Sequence, residues 1–403
     1  MTKLRVIHML NHSPWFFRDQ NKPMDEQAMT DDWHFRTAYQ LERIFPGRFA
    51  LECWRPDWRE PVEKTVMVKG IPCRIFPSSR PPLGRFNYEL SLPMLARLRR
   101  EALKGPFVLH VHEVHCLTAM LAAFLGSHVV KVAHNHGNPS IGMRLQEGRP
   151  LWKAIPMRML LPLEEAATRR YDHIFAISDK ELAYLRQRTP RVTKLTMGVD
   201  FQAFAPREKA LARQRLGLPQ EAKIALYVGR FFRVKSSDKL LACMEEVRRR
   251  LPGAFLLAMG GLPHDELYKE MMAGADMAVL RGIPDDVLPE YYAASDLYVY
   301  PAEDPALNGI GMAPVEAMAM NLPVLSSALA EFPGSDDERA RLGIVYSPQR
   351  DDLAQRMVEG LTGQARFSPR ETAADYYDWP IIARGIAEVY DRAWRERHPD
   401  WRP

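Results

Sequence analysis

The chain alternates short apolar runs with segments of helical period, breaks off between Gly198 and Ala222, and then begins the same alternation again. The first series holds LRVIHML (4–10), FALECW (49–54), FVLHVH (107–112), VVKVAH (129–134) and HIFAIS (173–178). Between them lie WHFRTAYQLERIF (33–45), LPMLARLRREAL (92–103) and LTAMLAAFL (117–125). The second series runs KIALYVGRFF (223–232), KLLACMEEVRRRL (239–251), AFLLAMGG (254–261), MAVLRG (277–282), VLPEYYAAS (287–295) and DLYVYPA (296–302). Runs this apolar fit parallel strands whose two faces are covered by helices. A chain of 403 residues is too long for one ordinary core. The expected fold class is therefore α/β, with two doubly wound, Rossmann-like domains in tandem.

The polar break supplies a boundary. We expect an N-terminal domain over 1–200, a connection over 201–222, a second domain over 223–378, and a C-terminal helix over 379–403 that crosses back to the first domain. Tandem sheets of this kind place a ligand cleft at their carboxyl ends. A nicotinamide-dependent dehydrogenase needs Gly-x-Gly-x-x-Gly after its first strand, and the segment there, NHSPWFFRDQNKP, has no glycine. That class is excluded.

Composition narrows the partners. Charged residues at 26% beside 46% hydrophobic residues describe a globular, ordered chain. The net charge of +5 suits anionic small molecules or an anionic membrane surface, but a solvated basic face is the commoner cause of such a balance. No basic stripe interleaved with aromatics marks a nucleic-acid partner. The four cysteines are scattered without a Cys-x-x-Cys pair, as expected of reduced thiols in the cytoplasm. No run reaches membrane-spanning length, and the N-terminus lacks the apolar stretch of a signal peptide. The segment 143–166, MRLQEGRPLWKAIPMRMLLPLEEA, reads first as a proline-interrupted core helix with a basic edge. Its other reading is a peripheral contact with a membrane holding a lipid-linked acceptor.

Two stretches of the second series carry chemistry. Gly229 and Arg230 end its first strand, and Lys235 follows just before a helix. Cations at a strand-to-helix turn suit a diphosphate. In NGIGMAPVEAMAMNLPVLSS (308–327), Gly309 and Gly311 leave the backbone open to a ligand ahead of a helix N-terminus. Glu316 on that helix can accept two hydrogen bonds from a vicinal diol such as a ribose. Taken alone, such a glutamate is more often a helix-capping residue; beside a diphosphate site it describes a nucleotide-sugar pocket.

These stretches carry a resemblance. VGRFFRVKSSDKLL, RGIPDDVLPEYYAASDLYVYPAEDP and GIGMAPVEAMAMNLPVLSS, in that order, resemble the donor domain of retaining GT-B glycosyltransferases of family four. HVHEVH (110–115), KVAHNHG (131–137), HIFAISDKE (173–181) and MGVDFQAFAP (197–206) fall in the family's order in the first half. The resemblance implies two Rossmann-like domains facing each other across a cleft. It implies retaining transfer of a hexosyl or N-acetylhexosaminyl group from a UDP- or GDP-linked sugar to a glycan, lipid-linked or other hydroxyl acceptor. It implies no further cofactor and no required metal, and the sequence has no Asp-x-Asp pair. Front-face attack assisted by the leaving phosphate is the implied route.

By the same resemblance, Arg230 and Lys235 match the diphosphate-binding pair and Glu316 the ribose-binding second acid of a paired-glutamate motif. Gly311 matches the glycine between those acids, and Gly282-Ile283 the segment against the nucleobase. His134 matches a histidine that contacts the transferred sugar. Three positions depart from the pattern. Asn308 stands where the first acid, which contacts the donor sugar, is usual. The glycine-rich loop after the first strand is replaced by SPWFFRDQNKP, and Met197-Gly198 replaces an Asn-Gly. Two other readings stay open: a nucleotide-sugar epimerase of the same architecture, and a nucleotide-sugar-binding protein that has lost turnover.

Overall fold

The structure, a computed structural model, describes residues 3–16, 26–80, 86–146, 150–229, 237–260, 277–280, 283, 286–302, 309–363 and 366–400. It divides into two compact units, one of Met1–Met197 with Ile382–Pro403 and one of Gly198–Ile381.

Unit 1 is built on eight strands: β1 Leu4–Leu10, β2 Phe49–Asp57, β3 Lys64–Val68, β4 Ile71–Pro77, β5 Val108–His112, β6 Val130–His134, β7 His173–Ala176 and β8 Val192–Lys194. Their order is β3-β4-β2-β1-β5-β6-β7-β8. Every pair is parallel except the edge pair β3–β4. Every residue of β5 and β6 is buried, as a sheet covered on both faces requires. Helix starts follow local chemistry. The helix Leu92–Lys104 begins where the Ser91 hydroxyl accepts from the Met94 amide at 3.3 Å, has a proline in its first turn, and stops at Gly105.

Strands β3 and β4 were not apparent from the sequence, because IPCRIFP mixes polar residues and a proline into its apolar run. The turn between them is set by Lys69 and Gly70, both at positive φ (44° and 81°).

Unit 2 has six parallel strands: β9 Lys223–Val228, β10 Ala254–Met259, β11 Met277–Leu280, β12 Leu297–Tyr300, β13 Val324–Ser326 and β14 Gly343–Val345. Their order is β11-β10-β9-β12-β13-β14. This is the strand order 3-2-1-4-5-6 of dinucleotide-binding sheets. In both units the first strand lies between the second parallel strand and a later one, so the winding reverses beside β1 and beside β9. Ligands of such sheets bind outside the carboxyl ends at that reversal.

The segment expected to be an interdomain connection, 201–222, is folded into unit 2. It carries the helix Lys209–Leu216, stopped by Gly217 in the left-handed conformation. From that helix the buried Arg213 reaches Asp296 at 2.7 Å and the Ala294 carbonyl at 2.9 Å. Asp296 also accepts from the Ile224 amide at 2.8 Å and from Lys209 at 2.6 Å, tying the segment to the start of β9. Gly198 owes its place to packing, since a Cβ there would lie 2.7 Å from the Trp379 ring. Trp379 opens the helix Trp379–Arg397, which belongs to unit 1 from Ile382 onward. Among the described residues, no helix is long and apolar enough to cross a membrane.

Candidate functional site

The carboxyl end of β9 leads into Gly229, whose amide donates to the Met259 carbonyl at 2.9 Å and so extends the sheet by one residue. Arg230, Lys235, Gly282 and Asn308 lie outside the described residues. Ile283 is half-buried and packs against the core of unit 2.

The glycines ahead of Glu316 do what their positions demand. Gly309 and Gly311 have φ of 60° and 75°, a region that disfavours any side chain. Gly311 is exposed, and a Cβ built on it would meet only the Pro314 ring, at 3.7 Å. The backbone is thus open to a ligand just before the helix Met312–Ala319.

Gly311 is itself the N-cap of that helix, with no side-chain cap and no acid in the first turn. Glu316 sits in the second turn, so the capping role does not fit it. Its carboxylate accepts from the Tyr292 hydroxyl at 2.7 Å. Tyr292 is buried on the helix Leu288–Ala294, and burial together with the Glu316 charge holds its phenol well above the usual tyrosine value. The phenol therefore stays a hydrogen-bond donor and fixes one side of the carboxylate. Sequence reasoning missed Tyr292, because its pairing with Glu316 exists only once the helix before β12 packs against the helix after it.

In unit 1 the reversal lies between β1 and β5. Asn11, just past β1, donates to the carbonyls of His112 at 2.5 Å and Glu113 at 3.3 Å, locking the two strand ends together. Glu113 has φ of 64°, unusual for a residue with a side chain. Strain of this kind costs on the order of 1–3 kcal/mol and gathers at functional sites. Burial pushes the Glu113 carboxyl up to about 8, against the pull of His115. Beside it, His115 Nδ1 meets Glu164 at 2.7 Å, and Glu181 lies 3.7 Å from Nε2. Burial works against a charge on His115, but Glu164 outweighs it and raises the imidazole to about 9. Glu113 also was missed; its signal was an acid directly after the strand in HVHEVH.

His134 ends β6 and is fully buried, with Nε2 at 3.1 Å from the Leu195 carbonyl and its ionisation lowered to about 4 by burial. No sugar reaches such a ring. His136, two residues on, is only partly buried, with its ring 4.5 Å from that of Trp33. Of the two histidines of AHNHG, His136 is the less buried, with its Nδ1 enclosed and its Nε2 2.8 Å from His112 Nδ1.

The helix Leu151–Thr168 corrects another expectation. It is not a core helix with a basic edge. One face, with Ala154, Met157, Glu164 and Ala167, is buried. The other exposes Leu151 (72%), Trp152 (65%), Ile155 (55%) and Met159 (77%), flanked by exposed Arg158, Arg169 and Arg170.

Comparison with known proteins adds the family. Residues 208–366 match the profile of "Glycosyl transferases group 1", and residues 36–202 match that of "Glycosyltransferase Family 4". A D-inositol 3-phosphate glycosyltransferase of Mycobacteroides abscessus is 28% identical over 228 residues, covering 53% of this chain and 49% of that protein. A GDP-mannose-dependent alpha-(1-6)-phosphatidylinositol monomannoside mannosyltransferase of Mycolicibacterium smegmatis is 29% identical over 253 residues, 57% of this chain and 66% of that protein. The chain spans about half the length of the first of these relatives. Among solved structures, sucrose-phosphate synthase of Thermosynechococcus elongatus superposes with a TM-score of 0.68 at 19% identity, over 98% of this chain and 100% of that one. HepE of Anabaena in complex with UDP-glucose gives 0.66 at 16% identity, over 96% and 100%. These two likenesses speak for the fold. With two family profiles in tandem on two Rossmann-like units, the chain belongs to the GT-B glycosyltransferases of family four.

Proposed function

We propose that the protein is a retaining glycosyltransferase that moves a hexosyl or N-acetylhexosaminyl group from a UDP- or GDP-linked sugar to a hydroxyl acceptor. The observation that carries this reading is Glu316, held by Tyr292 behind the exposed backbone of Gly311, in the unit whose first strand leads into Gly229. In this reading the Glu316 carboxylate takes the ribose diol and Ile283 lies toward the base. Arg230, Lys235 and the amides before the helix Met312–Ala319 meet the diphosphate.

Cleaving a glycosyl–phosphate bond builds negative charge on the leaving diphosphate and positive charge on the sugar. Fixed cations and amides stabilise the former, and losing one such donor costs on the order of 10²–10³ in rate. Asn308 offers the sugar an amide donor and acceptor without charge. The role that the family resemblance gives His134 passes to His136, the less buried of the two. Metal independence remains part of the proposal, resting on the missing Asp-x-Asp pair.

The acceptor is a glycan, a lipid-linked glycan or another polyol. Relatives named for D-inositol 3-phosphate make a phosphorylated polyol the first to try. The exposed apolar face of Leu151–Thr168, with its arginines, supports peripheral docking on an anionic membrane from the cytoplasmic side.

The test is a panel of UDP-, GDP- and ADP-sugars, each with inositol phosphate, glycan and lipid-linked acceptors. The readouts are released nucleotide diphosphate, free sugar and the anomeric configuration of the product. Retained configuration in a new glycoside supports the reading. Conversion of the donor to its epimer, or tight binding with no turnover of any donor, would overturn it.

A further inference from the structure

Unit 1 carries a row of imidazoles inside its sheet. His8 on β1 is the register partner of His110 on β5, and His112, two residues on, is the partner of His134 on β6. Register partners on parallel strands, and residues two apart on one strand, face the same side. The rings accordingly crowd together, those of His110 and His112 with centroids 4.4 Å apart. His8, His110 and His112 are each wholly buried, and one nitrogen from each lies within 4.8 Å of the others.

We infer that His8, His110 and His112 form a binding site for a first-row transition-metal cation that prefers nitrogen ligands, with Zn²⁺ as the representative ion. The hydrogen bonds around the rings carry the argument. His110 Nδ1 faces the Tyr390 hydroxyl, and His112 Nδ1 faces His136 Nε2 at 2.8 Å. In the tautomer whose Nδ1–H donates outward, each of these two rings presents an unprotonated Nε2 inward. This is how a ligating histidine is set by its outer partner. His110 Nε2 has no hydrogen-bond partner among the described residues, though it is buried. Buried polar atoms left this way are costly and uncommon.

The spacing of one pair agrees with coordination. His8 Nδ1 and His112 Nε2 are 3.2 Å apart. Two ligands at about 2.05 Å from a tetrahedral Zn²⁺ lie about 3.4 Å from each other. The three rings are wholly buried, a setting that disfavours the imidazolium and suits the neutral ring a metal takes. Three imidazoles select Zn²⁺, Co²⁺, Ni²⁺ or copper over Mg²⁺ and Ca²⁺, which take oxygen ligands. A cation on His112 Nε2 fixes the proton of that ring on Nδ1, so that His136 accepts at Nε2 and carries its own proton on Nδ1. The site thereby sets the tautomer of His136. The site itself does not depend on the transferase reading.

The test uses the full chain without an affinity tag, stripped with chelator and titrated with Co²⁺. We expect roughly one equivalent to bind, with the strong visible d–d bands of four-coordinate cobalt, and Zn²⁺ to displace it. Tyr390→Phe should weaken binding about 10–100-fold, as losing an outer partner does, with secondary structure unchanged. His110→Gln should abolish binding, while the buried neighbour variant His34→Gln retains it. Because a core substitution risks misfolding, X-ray absorption of the cobalt-loaded parent provides the second measurement, with imidazole scattering at about 2 Å expected. The proposal is overturned if the stripped parent takes up no Co²⁺ or Zn²⁺. It is also overturned if the absorption shows oxygen ligation only, or if a folded His110→Gln binds like the parent.

Discussion

Tyr292 and Glu316 hold each other in one of few ways open to a buried phenol beside a carboxylate: the hydroxyl donates, and the carboxylate loses rotational freedom. If Glu316 grips a ribose, Tyr292 acts by positioning it. Tyr292→Phe should then raise the donor KM roughly 3–10-fold with kcat nearly unchanged, the signature of lost uniform binding. Steady-state kinetics with varied donor reads the split, and a fall in kcat at constant KM would contradict it. The two histidines after β6 separate in the same way. His136→Ala should lower kcat about 10²-fold with little change in melting temperature. His134→Gln, inside the sheet on the Leu195 carbonyl, should lower the melting temperature more than kcat. The reverse pattern would return the site role to His134. From the sequence, AHNHG shows two histidines at a strand end but not which one the neighbouring strands cover.

At the scale of elements, the helix Leu151–Thr168 separates residue type from residue environment. Its prolines and leucines read as core, yet Leu151, Trp152, Ile155 and Met159 face outward. Periodicity alone could not tell a covered apolar face from an open one, because both faces of this helix are apolar. If the open face docks on lipid, the double variant Trp152→Ser, Met159→Ser should bind anionic vesicles about 10²-fold more weakly. Each side chain contributes on the order of 1.5–3 kcal/mol on burial. Sedimentation with vesicles measures this, and the melting temperature should change little, since both side chains are largely exposed in the folded chain. Equal vesicle binding by parent and variant would remove the membrane from the account.

The same helix carries Glu164 to His115 at the end of β5, and this contact sets a pH dependence. His115 is raised to about 9, so the stability it lends is complete below its ordinary value near 6.5 and is lost as pH climbs through 9. Glu113, raised to about 8, favours its neutral form, so its contribution is likewise lost as pH rises from the ordinary carboxylate range to 8. Both act in one direction. The melting temperature of the full chain should fall between pH 6.5 and 9, and Glu113→Gln, which cannot ionise, should fall less. Identical slopes would show that the buried carboxyl titrates normally.

For the whole molecule, the two sheets were legible because parallel strands buried on both faces write themselves as unbroken apolar runs. β5 and β6 are the plainest cases. What the sequence obscured lies where polar residues are buried in pairs. Arg213 and Asp296 turn a stretch that reads as a linker into part of unit 2. Gly198, the half of the Met197-Gly198 pair that keeps the family pattern, is a packing requirement of Trp379. The histidine row was visible as HVH, two residues one sheet period apart, but its neighbours on β1 and β6 come from the strand order.

The central claim is that unit 2 binds a nucleotide diphosphate at the carboxyl end of β9 and before the helix Met312–Ala319. Calorimetric titration of UDP and GDP into the parent and into Arg230→Ala, Lys235→Ala and Glu316→Ala tests it most directly. One of the two nucleotides should bind the parent, and each substitution should weaken that binding about 10–100-fold, the worth of one hydrogen bond to a charged group. Binding that is the same in all four proteins, or no binding of either nucleotide to the parent, would contradict it.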